Sequence, residues 1–168
     1  MQSFWICAGY LLFLGIASHV IGEAVPRRLF NPGAFPYRCF PFENGGKIYS
    51  AVKVEKWKDI VPDMSRYFPK MVAKRVRNHS DSASLEKLLV ETCVAEATHH
   101  WLSVFGLACL WIMPGAGGII ITAVWIILGN LPFIIIQRFN RPRIAKLLKI
   151  KQKHGGLHAG DKNSDTHM

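Results

Sequence analysis

Formal charge is absent from two long stretches of this chain. Asp, Glu, Lys and Arg do not occur in residues 1–22 or 97–137, so every charged residue lies in a middle segment or in the C-terminal tail. A bilayer core about 30 Å thick is crossed by roughly 20 apolar residues in helical conformation. Half of the 168 residues are hydrophobic, and their concentration in blocks of this length is typical of an integral membrane protein.

The apolar blocks predict an all-α membrane fold with three transmembrane helices, at residues 3–22, 94–113 and 119–136. Proline and clustered glycine in residues 114–118 interrupt the last two, which therefore form a C-terminal helical hairpin. The N-terminal block lacks a basic n-region and an Ala-x-Ala cleavage site, so we expect it to be a retained span and not a secretory signal.

Basic residues mark the ends of the predicted spans that face the cytoplasm. The positive-inside rule applies to the following Lys and Arg residues: Arg27, Arg28, Lys74, Arg75, Arg77, Lys87, Arg138, Arg141, Arg143 and Lys146. It predicts a multi-pass protein of the cell membrane with its N-terminus outside and its C-terminus inside. The middle segment, 23–93, is then cytoplasmic.

The sequence predicts one membrane domain, residues 1–154, followed by a disordered tail at 155–168. In the middle segment we expect short helices around 60–77 and from Ser82 onward. Apolar residues among lysines in 142–153 predict a basic amphipathic helix in the membrane interface.

The net charge of +10 does not indicate nucleic-acid binding here, because the basic residues flank apolar blocks and lack an interleaved aromatic stacking motif. Anionic membrane lipids are the simpler partners. The four cysteines, Cys7, Cys39, Cys93 and Cys109, form no CxxC pair. They predict free thiols, with neither a disulfide framework nor a zinc site.

The most informative polar cluster lies at the start of the second predicted span. On a helix, Glu96, His99 and His100 project within a wedge of about 100°. A carboxylate beside an imidazole is the pair that removes a proton from a hydroxyl, and ionisable groups at membrane depth are often functional. An ordinary polar turn at the interface is the alternative, and a metal site ranks lower because no further well-spaced ligand is evident.

Other polar residues are predicted to lie near this cluster. His19 and Glu23 repeat the imidazole–carboxylate pattern at the end of the first span, at a similar depth, although a histidine that merely reaches the interface would look the same. Asn130 is an amide in an apolar helix, where it needs a hydrogen-bond partner. Three arginines, Arg138, Arg141 and Arg143, follow the third span and suit the phosphates of a donor or of lipid headgroups, or topological anchoring.

The run Asn130-Leu131-Pro132-Phe133-Ile134-Ile135-Ile136-Gln137-Arg138-Phe139-Asn140-Arg141-Pro142-Arg143-Ile144, with Glu91-Thr92 and Ala95-Glu96 to His99, resembles the glycosyl-diaponeurosporenoate acyltransferase family. Lys56-Trp57-Lys58-Asp59 and Pro62-Asp63 also resemble it. The resemblance extends from His19 to about Leu148. It implies transfer of a fatty acyl chain to a sugar hydroxyl of a membrane glycolipid, as in the staphyloxanthin type of carotenoid pathway.

The resemblance also implies a set of site residues. Glu91 joins Glu96, His99 and His100 as a catalytic candidate. The candidates for substrate binding are His19, Trp57, Lys58, Asp59, Asn130, Gln137, Arg138, Asn140, Arg141 and Arg143. Where a single histidine is expected before the tryptophan this chain has His99-His100-Trp101, and the spacing of three from Glu96 favours His99 as the base.

The expected co-substrates are an acyl thioester, on coenzyme A or acyl carrier protein, and a glycolipid acceptor; no cofactor or metal is expected. Direct transfer is favoured because no nucleophilic serine or cysteine motif is evident. An oxyanion would be stabilised by Arg138, Arg141 or Asn140. The alternatives are a non-catalytic lipid-binding or scaffold protein and a small membrane methyltransferase, for which no methyl-donor motif is present.

Overall fold

The computed structural model describes residues 1–58 and 82–161, and within these ranges all regular secondary structure is helical. The helix predicted around 60–77 lies outside the described residues. The helices are α1 (Gln2–Ala24), α2 (Ile48–Ala51), α3 (Val54–Trp57), α4 (Ser82–Gly106), α5 (Cys109–Ile112), α6 (Ala116–Val124) and α7 (Leu131–Asp161), with a π-helical stretch, Trp125–Asn130, between α6 and α7.

Helix α1 packs antiparallel against α4. Near the N-terminus of α1, the Tyr10 hydroxyl donates a hydrogen bond to the carbonyl of Phe105 over 2.9 Å. At the other end, Gly22 lies against Thr98. Because contacts late in α1 fall earlier in α4, the two helices run in opposite directions, and the end of α1 lies at the level of residues 96–100.

The long helices α4 and α7 also pack antiparallel and form the centre of the molecule. Leu85 and Leu89 of α4 bury their side chains against Ile144 and Leu148 of α7. Each side chain is at most 9% exposed, and complete burial of a leucine or isoleucine stabilises a fold by about 1.5–3 kcal/mol. This cluster fixes the register that brings the polar residues of the two helices together.

The turn region between α4 and the π-helical stretch depends on close backbone approach. A side chain at Gly106 would collide with the Trp125 ring, and one at Gly118 would collide with the backbone of Met113. Gly115 adopts a φ of +94°, which L-residues rarely tolerate. Trp125 can therefore donate its indole N–H to the Leu102 carbonyl over 2.9 Å, which ties the returning helix to α4.

The prediction that all cysteines are free is wrong for two of them. Cys7 and Cys109 form a disulfide that joins α1 to α5, with their Cα atoms 5.8 Å apart. A separation of 102 residues and the absence of a CxxC pattern hid this pairing, which arises only when the antiparallel helices meet. Cys39 and Cys93 are free thiols.

The C-terminal part of the chain also differs from the prediction of a separate interfacial helix at 142–153. Helix α7 passes through Pro142 without a break and continues to Asp161. The side chains of Ile144 and Leu148 pack against α4, and this tertiary contact outweighs the helix-breaking tendency of proline. Residues 155–161, predicted to be disordered, are helical, while 162–168 lie outside the described part of the chain.

Two of the described helical stretches are long and apolar enough to cross a membrane, Gln2–Ala24 and Ala116–Lys153. Their apolar side chains are largely exposed within the monomer; Leu12, Phe13 and Leu128, for example, are 65–68% exposed. Exposed apolar surface of this extent is unusual on a monomeric soluble protein. The two helices therefore indicate membrane association.

The first half of the middle segment folds back over the start of α7. Val54 of α3 is completely buried against Ile136 and Phe139. A short 3₁₀ segment, Pro41–Gly46, precedes it and places Gly46 beside the Pro142 ring. The segment thus covers the part of α7 that carries the arginines.

Candidate active site

A buried carboxylate on α4 is the centre of a polar network. Glu96 is 1% exposed. Its Oε1 accepts a hydrogen bond from Arg138 Nε over 2.8 Å, and its Oε2 lies 2.6 Å from Arg141 Nη2. Since a buried charge is tolerated only with a partner, the two arginines of α7 explain why Glu96 can lie in the interior.

A second buried carboxylate, Glu43, joins this network from the middle segment. Its Oε1 accepts a hydrogen bond from Arg138 Nη1 over 2.8 Å, and its Oε2 accepts the Phe40 backbone N–H over 2.6 Å. The Tyr49 hydroxyl also donates to Glu43. Two carboxylates therefore offset the charges of the two arginines.

The pKa values of Glu43 and Tyr49 reflect this environment. Burial by itself raises the pKa of Glu43, but the hydrogen bonds from Tyr49, Arg138 and the Phe40 backbone outweigh it and bring the pKa below its ordinary value of 4.5. Burial and the hydrogen bond to the Glu43 carboxylate raise the pKa of Tyr49. Glu43 is therefore held as a carboxylate and Tyr49 as a neutral donor.

The guanidinium nitrogens of Arg138 and Arg141 all have internal partners. Besides the carboxylates, Arg138 donates to the Pro36 carbonyl over 2.8 Å. Arg141 donates to the hydroxyl and carbonyl of Thr92 and to the Tyr37 carbonyl over 2.8–3.0 Å. The two arginines therefore attach the middle segment to α4 and α7.

His99 lies on the same face of α4 but has a different partner. Its Nδ1 is 3.0 Å from Asn130 Oδ1, and its ring stacks on Phe133 with centroids 4.4 Å apart and planes 10° apart. Asn130 ends the π-helical stretch and is 1% exposed. Such stretches are frequent at functional sites, and this one directs the amide at the imidazole.

The hydrogen bonds of Asn130 determine which nitrogen of His99 carries the proton. The Asn130 side-chain NH₂ donates to the Trp125 carbonyl over 2.8 Å, so its oxygen faces His99 Nδ1. An oxygen accepts, so Nδ1 must donate its N–H. In the neutral imidazole this leaves the lone pair on Nε2, and Nε2 is the nitrogen that can accept a proton.

The predicted pairing of Glu96 with His99 is therefore not the pairing found. Glu96 engages Arg138 and Arg141, and His100 Nε2 lies 3.7 Å from Glu96 Oε1. His100 is 57% exposed, whereas His99 is partly buried in the helix interface. Two permanently charged guanidinium groups are stronger partners for a buried carboxylate than a neutral imidazole, which explains the exchange.

Two further candidates, Glu91 and His19, contact residues near the end of α1. Glu91 forms a bidentate pair with Arg27 at 2.9 and 3.1 Å, and Arg27 also donates to the carbonyls of Gly22, Glu23 and Val25. This arrangement makes Glu91 a tether between α1 and α4. His19 Nε2 is 3.8 Å from Glu23 Oε1, close to the level of His99.

The described candidates from the middle segment pack against α7. Trp57 donates its indole N–H to the Val52 carbonyl over 2.9 Å and packs beside the cluster around Val54. The Lys58 ammonium lies 5.7 Å from the centre of the Phe139 ring. Asp59, the third candidate in this run, lies outside the described residues.

The remaining candidates lie on α7. Arg143 stacks over Phe139 and donates to its carbonyl over 2.7 Å, with a weaker contact to Glu55 at 3.5 Å. Gln137 and Asn140 are partly buried beside the arginine network. The structure thus brings Arg138 and Arg141 to Glu96 and brings Asn130 to His99, while Arg143 anchors α3.

Comparison with known proteins agrees with these features. The family model for glycosyl-4,4'-diaponeurosporenoate acyltransferase matches residues 26–150, which include the ionic network and the histidine site. The chain belongs to this family. Acyltransferases of that name from Staphylococcus aureus strains bovine RF122 / ET3-1 and N315 are 27% and 26% identical over 162 residues, covering 94% of this chain and 95% of theirs. No solved structure matches.

A cavity of about 350 Å³ lies in the acyltransferase beside the ionic network. The first part of the middle segment forms one wall and helices α4 and α7 form the others. Arg138 and Arg141 contribute to the inner wall, and Lys149 lies farther along α7. Within residues 1–58 and 82–153, no group of three His, Cys, Asp or Glu side chains is placed to hold a metal ion.

Sequence reasoning missed two residues that shape the site of the acyltransferase. Glu43 and Tyr49 lie in an irregular segment without helical periodicity, and their contact with Arg138 spans 95 residues for Glu43. Glu43 follows Pro41 by two positions, and nothing in the neighbouring residues indicates that its side chain is buried. The excess of arginine in residues 138–143 was the available signal, since buried arginines require carboxylate partners from elsewhere in the chain.

Proposed function

We propose that this membrane acyltransferase transfers a fatty acyl group from an acyl thioester to a hydroxyl of a glycolipid, with His99 as the general base. The observation that carries the proposal is the hydrogen bond between His99 Nδ1 and Asn130 Oδ1. It leaves Nε2 with a lone pair, as a base requires. The relatives are named for acylation of a glycosylated carotenoid acid, which supports a glycolipid acceptor.

In the proposed reaction, His99 Nε2 takes the proton of the acceptor hydroxyl as its oxygen attacks the thioester carbonyl. A carbon–oxygen bond forms and the carbon–sulfur bond breaks. The imidazolium then returns the proton to the departing sulfur, which leaves as a thiol. Asn130 plays the part that the third member of a catalytic triad plays for its histidine, because it holds the ring and its tautomer.

The residues of the ionic network position the site and do not take part in the chemical step. All three guanidinium nitrogens of Arg138 and of Arg141 are engaged by protein groups, so we assign these residues to positioning. Arg138, Arg141 and Asn140 were the residues predicted to stabilise the oxyanion. With both arginines engaged elsewhere, Asn140 is the remaining donor. Glu96 is likewise a positioning residue, since it connects the arginines to the turn of α4 that precedes His99.

We further propose that α1, the second half of α4 and the α6–α7 stretch cross the membrane, with the N-terminus outside and the site at the cytoplasmic face. The positions of the basic residues support this orientation. The Cys7–Cys109 disulfide lies at the end of α1 opposite to Arg27, and disulfides persist on the oxidising side of a membrane. Soluble acyl thioesters would reach the site from the cytoplasm.

The activity is tested with the purified protein in detergent, given palmitoyl-coenzyme A and a glucosylated lipid. We expect an acylated glycolipid and free thiol in equal amounts by mass spectrometry and thiol titration. A lipid-binding or scaffold protein gives no turnover in isolation. Product from neither coenzyme A nor acyl carrier protein thioesters, across several glycolipids, would show that the proposed reaction is wrong.

The orientation is tested with a membrane-impermeant maleimide on intact cells. The exposed thiol of Cys39 is expected to react only after the membrane is opened. A Cys39→Ser variant identifies the signal from that residue. Labelling of Cys39 in intact cells would contradict the proposed topology without bearing on the chemistry.

A further inference from the structure

The charges around the cavity are unevenly compensated. At its inner end, Arg138 and Arg141 are matched by the buried carboxylates Glu43 and Glu96. At its outer end, Lys149 is exposed and has no ion-pair partner among the described residues. The uncompensated positive charge therefore lies at the outer end, where an anionic group of a ligand would be held.

The wall between these two ends is mainly apolar. Leu89 of α4 and Pro142, Ala145 and Leu148 of α7 line it. Arg138 and Lys149 are 11 positions apart on α7, which is about 16 Å at 1.5 Å per residue. The cavity therefore suits an extended ligand with an anionic group at one end, a less polar middle and its reacting group near Arg138.

We propose that the cavity binds the 4′-phosphopantetheine arm of the acyl donor, with its phosphate at Lys149 and its thioester at the inner end. The inference rests on the proposed function, which requires a thioester. In this arm a long chain with two amides separates the phosphate from the thioester sulfur. In a phospholipid only a few bonds separate the phosphate from the esters, so it does not match the spacing of the two ends.

The inner end of the cavity is connected through Arg138 and Glu96 to the helical turn that precedes the proposed base. Arg138 lines the cavity and donates to Glu96, and Glu96 is on the helical turn that precedes His99. A thioester held beside Arg138 is thus next to the turn that carries the base. Coenzyme A and acyl carrier protein both carry this arm, so the cavity alone accommodates either donor.

Cys39 offers a direct measure of whether the cavity is occupied. Its thiol is free, exposed and part of the cavity lining. Cys93 is buried, and Cys7 and Cys109 are paired and buried. Under non-reducing conditions a maleimide is therefore expected to report on Cys39, and a Cys39→Ser variant gives the background.

The test measures the rate of Cys39 labelling in the full-length protein with and without the S-palmityl thioether of coenzyme A. This probe has no thiol to consume the maleimide and no thioester to transfer. We expect labelling to slow about tenfold at saturation. Lys149→Gln should raise the half-protecting concentration about tenfold, as expected for the loss of a charge-assisted hydrogen bond. Lys146→Gln, one turn away and outside the lining, is the matched control and should not raise it.

Two further probes separate the possible sources of the phosphate. One is a palmityl thioether on acyl carrier protein, and the other is micelles containing phosphatidylglycerol. Protection by either thioether supports the proposal, and stronger protection by one identifies the donor. Protection by phosphatidylglycerol alone, or equal effects of Lys149→Gln and Lys146→Gln, would overturn it. If the enzyme turns over a thioester that does not protect Cys39, the proposed reaction stands and this site is wrong; if neither turnover nor protection occurs, both fail.

Discussion

Asn130 and His99 lie on different helices, 31 residues apart in sequence, yet their side chains meet at 3.0 Å through Oδ1 and Nδ1. The Trp125 carbonyl fixes the amide from behind, and Phe133 stacks on the imidazole from the side. Neither group can turn without losing a buried contact. The imidazole is therefore held in one orientation and one tautomer before any substrate binds.

Replacement of Asn130 tests this relationship. In Asn130→Leu the amide oxygen is lost while the volume is nearly kept, so His99 loses its preferred tautomer and orientation. We expect kcat to fall by about 10²-fold or more with little change in KM for either substrate. A matched loss of kcat in a helix-packing control, Thr122→Val, would indicate that general disruption of the α6–α7 stretch causes the effect.

The adjacent histidines permit a second, paired comparison. His99→Gln removes the proposed base and is expected to lower kcat by about 10²–10⁴-fold. His100→Gln should reduce it by less than tenfold, because that side chain is 57% exposed and contacts only the edge of the ionic network. Steady-state assays of the two variants decide between them, and the reverse order would reassign the base to His100.

The parts of the fold that follow from local sequence were accessible to prediction. Charge-free blocks of helical length indicate α1 and the returning hairpin, and the proline–glycine run locates the turn. These signals depend on residues that are neighbours in the chain. The continuous passage of α7 through Pro142 was not accessible, because packing of Ile144 and Leu148 against α4 determines it.

The site shows the same division. The clustering of Glu96 with His99 on one helix face and the run of arginines at residues 138–143 were accessible from the sequence. The choice of partners was not, because it is a competition decided in three dimensions. Glu96 pairs with two arginines from α7, so His99 is left to Asn130, and no spacing within α4 could reveal either outcome.

Glu96→Gln is expected to destabilise the protein strongly. The substitution removes the negative charge that offsets Arg138 and Arg141. Glu96 and Arg141 are at most 4% exposed, and breaking a buried ion pair typically costs about 3–5 kcal/mol. Glu91→Gln breaks the Arg27 pair, whose partners are 35% and 25% exposed, and should cost about 1 kcal/mol or less. Thermal unfolding in detergent measures both, and equal shifts would contradict the role of Glu96.

Glu43 makes the stability of the site depend on acid pH. Its hydrogen bonds hold the pKa below the ordinary value of 4.5 in the folded protein, so the folded state favours the charged form. The resulting stabilisation is complete above the unfolded pKa and is lost as the pH falls from about that value through the lowered one. We expect wild type to lose unfolding free energy over this range more steeply than Glu43→Gln, which has no carboxyl group there to titrate. Glu86→Gln is the control, since the contact of Glu86 with Gln152 is exposed and its removal should leave the slope close to that of wild type. Urea unfolding at a series of pH values gives the three slopes, and parallel curves for wild type and Glu43→Gln would show that the network does not rely on the charge of Glu43.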